Sequence, residues 1–175
     1  MTHIISSRFI RLAIATVSLF GLFVSSYLLY TYVSGGPIRC AVTHGCDVVR
    51  SSSYAWSYGI PRPLMGVAFY LFLFGLLIAR AVSVKWNHPL HRLTQATIVI
   101  GLIESIYLFF IQWQVLKAFC FWCLLSGAAT IILAILAPFD HPTSLDDGEW
   151  ELKYYFYLLI IFAILSAGGF YLLVF

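Results

Sequence analysis

Long apolar runs alternate with short polar connections along this chain. A charge-free run extends from Leu12 to Ile38, behind Arg8 and Arg11. The next run covers 63–84, with Arg80 near its end, and the third covers 93–116, interrupted by Glu104. The last two, 118–139 and 154–175, carry no charge at all. A helix needs about 20 apolar residues to cross the hydrocarbon core. Only helices and closed barrels satisfy their backbone there, and the strict alternation that a barrel requires is absent. The pattern predicts an all-α integral membrane protein with five transmembrane helices at about 9–33, 63–84, 93–116, 118–139 and 154–175. The first run exceeds the ~7–15 residues of a signal-peptide core and no A-x-A site follows it, so it is expected to remain as a helix.

Composition agrees with lipid as the solvent. Of 175 residues, 62% are hydrophobic and 10% charged, against roughly 45–50% and about 25% in soluble domains. The net charge of +3 is slight and scattered, which gives no footing for a nucleic-acid partner. No repeat or separate soluble domain is visible, so residues 1–175 are expected to form a single membrane domain. Six basic residues (Arg8, Arg11, Arg80, Lys85, Arg92, Lys153) fall on one side and four (Arg39, Arg50, Arg62, Lys117) on the other, a bias toward a cytoplasmic N-terminus. Arg80 is expected to snorkel from its span.

Parity then places the chemistry. The loop at about 34–62 and the turn near Lys117 are two crossings apart and share a side, and all four cysteines lie there. Cys40 and Cys46 belong to the loop, a glycine- and proline-punctuated stretch that reads as a mobile tether. Cys120 and Cys123 form C-F-W-C at the mouth of the fourth helix, where i,i+3 spacing puts both sulfurs on one face. Orphan N–H groups at a helix start favour a thiolate, with Lys117 adding charge. This is the arrangement used for reversible disulfide exchange. Two other readings stand beside it: four cysteines holding a structural metal, or two permanent disulfides.

The residues that carry these pairs resemble a known family. Cys40-x5-Cys46, then Asp47-Val-Val-Arg-Ser-Ser-Ser-Tyr, Gly59-Ile-Pro61, Gly66, Tyr70 and Cys120-Phe-Trp-Cys123 resemble the vitamin K epoxide reductase (VKOR) family, particularly its bacterial homologues, over about 9–139. The DsbB-like quinone-linked proteins carry their CxxC at the second helix and their mobile pair later, the reverse of the order here. The resemblance implies a four-helix bundle around a quinone site, with one helix outside it. It implies a membrane thiol–disulfide oxidoreductase with Cys40, Cys46, Cys120 and Cys123 as catalytic residues. On the same resemblance, electrons are expected to pass from a thioredoxin-fold partner through Cys40/Cys46, then Cys120/Cys123, to a membrane quinone such as ubiquinone or menaquinone, in support of disulfide formation. No fused thioredoxin domain follows the fifth helix, so a separate DsbA-like redox protein is the expected partner. The expected location is a bacterial inner membrane, with the cysteines on the periplasmic or outer side. Ser52 matches the family's loop Ser/Thr near the quinone, and Phe119 and Trp122 are candidate ring contacts. No metal ligands are assigned. Vertebrate members place a substrate-contacting tyrosine where this chain has Gly127, so vitamin K epoxide is not carried over as substrate.

Four further features have local readings. Glu104, inside the third helix, is expected to make a helix-to-helix hydrogen bond, with proton delivery as the functional alternative. His44 reads as a solvated loop histidine or as a tuner of the neighbouring thiols. Arg62 reads as a lipid-phosphate contact or loop cap, and 146–151 as a solvated acidic connector.

Overall fold

The computed structural model describes residues 2–40, 45–83, 86–141 and 148–174. His44, Asp146 and Asp147 lie outside them, and Glu151 at the far end of the acidic connector is not solvated but buried against Arg11. Among the described residues, five helices are long and apolar enough to cross a membrane. They are α1 (Thr2–Ser34), α3 (Arg62–Val82), α4 (Asn87–Phe110, continued by a π-helical turn at Ile111–Val115), α5 (Phe121–Leu136) and α6 (Gly148–Val174). Between the first two lies a short helix, α2 (Gly45–Ser51), then a 3₁₀ turn (Ser53–Ala55) and a two-stranded hairpin. The hairpin pairs β1 (Trp56–Ser57) with β2 (Ile60–Pro61). Its turn residues, Tyr58 and Gly59, both have positive φ (51° and 81°), as a tight two-residue hairpin turn requires.

Apolar patterning explains burial only in part, because lipid is as apolar as the side chains. Close approach of small residues does the rest. A Cβ on Gly21 of α1 would overlap the Tyr70 ring of α3, and one on Gly66 of α3 would fall 2.8 Å from Ser25 Oγ of α1. Gly101 of α4 meets the Phe69 ring in the same way. Around these contacts Ile14, Leu19, Tyr70, Leu73, Leu77, Ile98 and Leu133 form the main core. Helix α6 packs on α1 and α3 and turns its other face to lipid.

The end of the bundle opposite the cysteines is closed by buried charge. Arg80 donates to Asp140 Oδ2 at 2.6 Å and Oδ1 at 3.3 Å, to Asn87 Oδ1 at 3.3 Å and to the His141 carbonyl at 3.2 Å. Arg11 donates from Nε to Glu151 at 2.6 Å and from Nη1 to the same His141 carbonyl. Arg80 therefore does not snorkel: four acceptors satisfy its guanidinium inside the protein, which offsets the cost of leaving water.

Candidate functional site

The loop carries more structure than its glycines and prolines predict. Cys46 and Val49 fall on one face of α2 and are buried, with Asp47 in its first turn and Arg50 in its last. Arg50 fixes this short helix to the end of α1, donating to Gly36 O at 2.7 Å and Thr31 O at 3.3 Å. Cys40 and Cys46 form a disulfide, with Cα atoms 6.4 Å apart. Cys46 is buried and Cys40 is the more accessible of the two.

The second pair sits at the start of α5. Cys120 is its N-cap residue and Cys123 lies in its first turn. Both are free thiols. The turn before them is built by the π-helical bend, in which Leu116 N–H reaches back to Ile111 O at 2.9 Å. Lys117 takes a left-handed φ of 47°. Gln112 completes the bend: its backbone carbonyl accepts from Ala118 N–H at 3.1 Å and its side-chain Oε1 from Cys120 N–H at 2.8 Å. A π turn often marks a functional position. The pattern of apolar residues gives no signal for it, and Gln112 was not legible as a site residue.

The Cys120 thiol is held below the ordinary cysteine range. The main cause is a hydrogen bond from the Cys123 thiol, helped by the amides of Cys123 and Trp122. Burial and the Asp47 carboxylate oppose it. These amides favour the charged sulfur although no strict capping bond forms at the helix start. Lys117, expected to assist, extends into solvent instead.

The two pairs converge. Cys46 and Cys120, 2% and 1% exposed, share one buried cluster with Val24, Tyr27, Leu28, Val49 and Trp122. Trp122 packs on Tyr27 with ring centroids 4.6 Å apart, and its Nε1 donates to Arg39 O at 2.9 Å, one residue before Cys40. Its indole thus braces the loop pair against the helix mouth.

Behind Cys123 lies a cavity of about 530 Å³ between α1, α3, α4 and α5, roofed by Tyr54 and Ala55. Cys123, Gly127, Phe69, Phe109 and Tyr32 line it, with Gln112, Arg62 and Glu104 among its polar groups. Volume and mixed lining suit a small-molecule site. Ser52, Phe119 and Trp122 are not among the lining residues. Ser52 bonds back to Val49 O at 2.7 Å, and Phe119 packs on Phe109 with centroids 5.9 Å apart. Glu104 joins Arg62 in an ion pair between α4 and α3, and the guanidinium lies over Tyr107, 5.7 Å from its centroid. The helix-to-helix expectation for Glu104 describes this pair, while Arg62 contacts protein rather than lipid phosphate. Arg62 Nε is buried without a hydrogen-bond partner among the described residues. No grouping of three or more His, Cys, Asp or Glu that would hold a metal occurs among those residues.

A family model described as "Vitamin K epoxide reductase family" matches residues 12–138. That range contains both cysteine pairs, helices α3, α4 and α5, and α1 from residue 12 onward.

Proposed function

Because the chain belongs to the vitamin K epoxide reductase family, and is thus a multi-pass membrane oxidoreductase, we propose that it oxidises a separate thioredoxin-fold partner and delivers the electrons to a membrane quinone. One observation carries this reading: the buried Cys46 and Cys120 share a cluster, and Cys123, three residues and just under one turn further on, lines the cavity. The partner's thiolate attacks the accessible Cys40 end of the loop disulfide and leaves as a disulfide once Cys40 and Cys46 are both thiols. Cys46 thiolate then attacks Cys120 in the Cys120–Cys123 disulfide, so that bond breaks and Cys123 leaves with the electron pair. Cys40 resolves the Cys46–Cys120 bond, which regenerates the loop disulfide and leaves Cys120 and Cys123 reduced. The bonding found here, a loop disulfide beside two thiols, corresponds to this point of the cycle.

The cavity suits a quinone ring, with aromatic walls and one buried N–H of Arg62 that has no acceptor among the described residues. When bound, a quinone supplies a two-electron, two-proton acceptor. Phe69, Phe109 and Tyr32 would hold the ring, Arg62 Nε would donate to an oxygen, and Cys123 would face it. Ubiquinone, menaquinone or a related quinone all meet these requirements. A bacterial inner membrane with the cysteines on the periplasmic or outer side matches the sidedness of the basic residues and the thiol chemistry.

The test is to deplete quinone in intact membranes, trap thiols by alkylation and count free cysteines. A shift from blocked toward free thiols is expected, and unchanged labelling refutes the relay. A second result separates thiol exchange from quinone reduction. A Cβ on Gly127, which lines the cavity, meets nothing within 4 Å, so the side chain of Gly127→Trp starts in open space and is expected to occupy the cavity. It is expected to lower quinone reduction about a hundredfold, since small misplacements of reacting groups cost that much. Reduction of the loop disulfide by a dithiol should stay unchanged, as read by stopped-flow quinone absorbance beside thiol counting.

A further inference from the structure

We propose that Gly45 is the positioning residue that seats Cys46 against Cys120, because only a residue without a Cβ lets the start of α2 meet the backbone ahead of α5. The proposal rests on the relay described above. A Cβ at Gly45 would lie 2.5 Å from Phe119 O and 2.8 Å from Phe119 N. Real Cβ atoms do not approach backbone so closely, and no rotamer change relieves a clash with main chain. Gly45 has no positive φ, so the glycine serves close approach rather than an unusual turn.

The two residues in contact are the immediate neighbours of the two sulfurs that exchange. Gly45 precedes Cys46, and Phe119 precedes Cys120. Their contact fixes the separation of the next residue in each strand of chain. Arg50 holds the other end of α2 on Thr31 and Gly36, which leaves the short helix little freedom to slide and restore the distance. With alanine at 45, α2 must lift by on the order of 1 Å, which draws Cys46 away from Cys120 and strains the bond between them, since a disulfide tolerates only a narrow range of Cα and Cβ separations.

The exchange can be isolated in the full-length Cys123→Ala protein. There Cys120 thiolate attacks Cys46 of the loop disulfide, forming Cys46–Cys120 and releasing Cys40 thiolate, with no external oxidant consumed. The protein is equilibrated in a dithiothreitol redox buffer, acid-quenched and alkylated, and disulfide-linked peptides are measured by mass spectrometry. With Gly45, a Cys46–Cys120 population is expected. Gly45→Ala should lower it at least tenfold and leave Cys40–Cys46 in its place, which a general loss of folding would not produce. Arg50→Met, which frees the other end of α2, should lower it to a lesser extent. Gly75→Ala, at a glycine with open space around it, should leave it unaltered. An undiminished link in Gly45→Ala overturns the proposal, and if that variant does not fold, an undiminished link in Arg50→Met does so. Absence of the link even with Gly45 present refutes the relay itself and takes this inference with it.

Discussion

Cys123→Ala protein is expected to reduce no quinone above background and to collect the Cys46–Cys120 bond, whereas Cys120→Ala should also be inactive but collect no such bond. The difference follows from position. Cys123 lines the cavity, while Cys120 lies outside it and inside the buried cluster with Cys46. Removing the first sulfur abolishes the Cys120–Cys123 disulfide, so the interpair bond forms only by attack of Cys120 thiolate on the loop disulfide, with no Cys123 to carry electrons onward; removing the second prevents the bond. The lowered thiol range of Cys120 assists the bond in the first variant only in part, because its main cause, the hydrogen bond from Cys123, is lost with the mutation. The helix-start amides remain. In fully reduced protein, alkylation of Cys120 should therefore require a higher pH in Cys123→Ala than in the parent dithiol, as a pH series of labelling rates would measure. Equal activity in parent and Cys123→Ala would exclude the assigned order.

Asp140→Ala should be the most destabilising single change at the opposite end of the bundle, by roughly 3–5 kcal/mol, the usual cost of stranding one partner of a buried ion pair. Both members are almost wholly enclosed, Arg80 at 1% and Asp140 at 0% side-chain exposure. Truncating the carboxylate leaves a guanidinium with two of its four acceptors, Asn87 and the His141 carbonyl. Replacing both partners together, Arg80→Met with Asp140→Leu, should recover most of the loss, since no uncompensated charge remains. Unfolding in mixed micelles, followed by circular dichroism, measures both. If Asp140→Ala unfolds like the parent, the ion pair contributes nothing and charge at this end is solvated.

The five helices and their common sidedness were readable because each apolar run is as long as the membrane is thick. The meeting of the two cysteine pairs was readable because both lie at the same end of the predicted bundle. Other features lay beyond the pattern. The helix at 45–51 is shorter than two turns, and its only signals are Cys46 and Val49 at i,i+3 with Asp47 at its start. Those are weak against the surrounding glycines and prolines. Trp122 and Phe119 had the right chemistry to hold a ring, but side-chain direction at a helix mouth depends on the bend before it, and the π turn at Ile111–Val115 left no trace in hydropathy. Arg80 and Asp140 are 60 residues apart, so each looked like an isolated boundary charge. Arg62 and Glu104 offered the same clue, opposite charges on neighbouring spans, and pairing them required the helices to be placed first.

Residue 39 accepts from Trp122, binds Tyr27 Oη through its own N–H at 3.3 Å and reaches the Leu172 carbonyl of α6 with its guanidinium at 3.1 Å. The chain is thus pinned just ahead of Cys40, as it is at Gly45 just ahead of Cys46. With both approaches clamped, the proposed exchange would proceed by rotation of a sulfur about its χ1 rather than by diffusion of a segment. Rotamer hops take picoseconds to nanoseconds and concerted loop excursions up to microseconds. In the proposed relay, turnover would then be gated by thiolate availability and by docking of the reductant, and solvent viscosity should have little hold on the internal step.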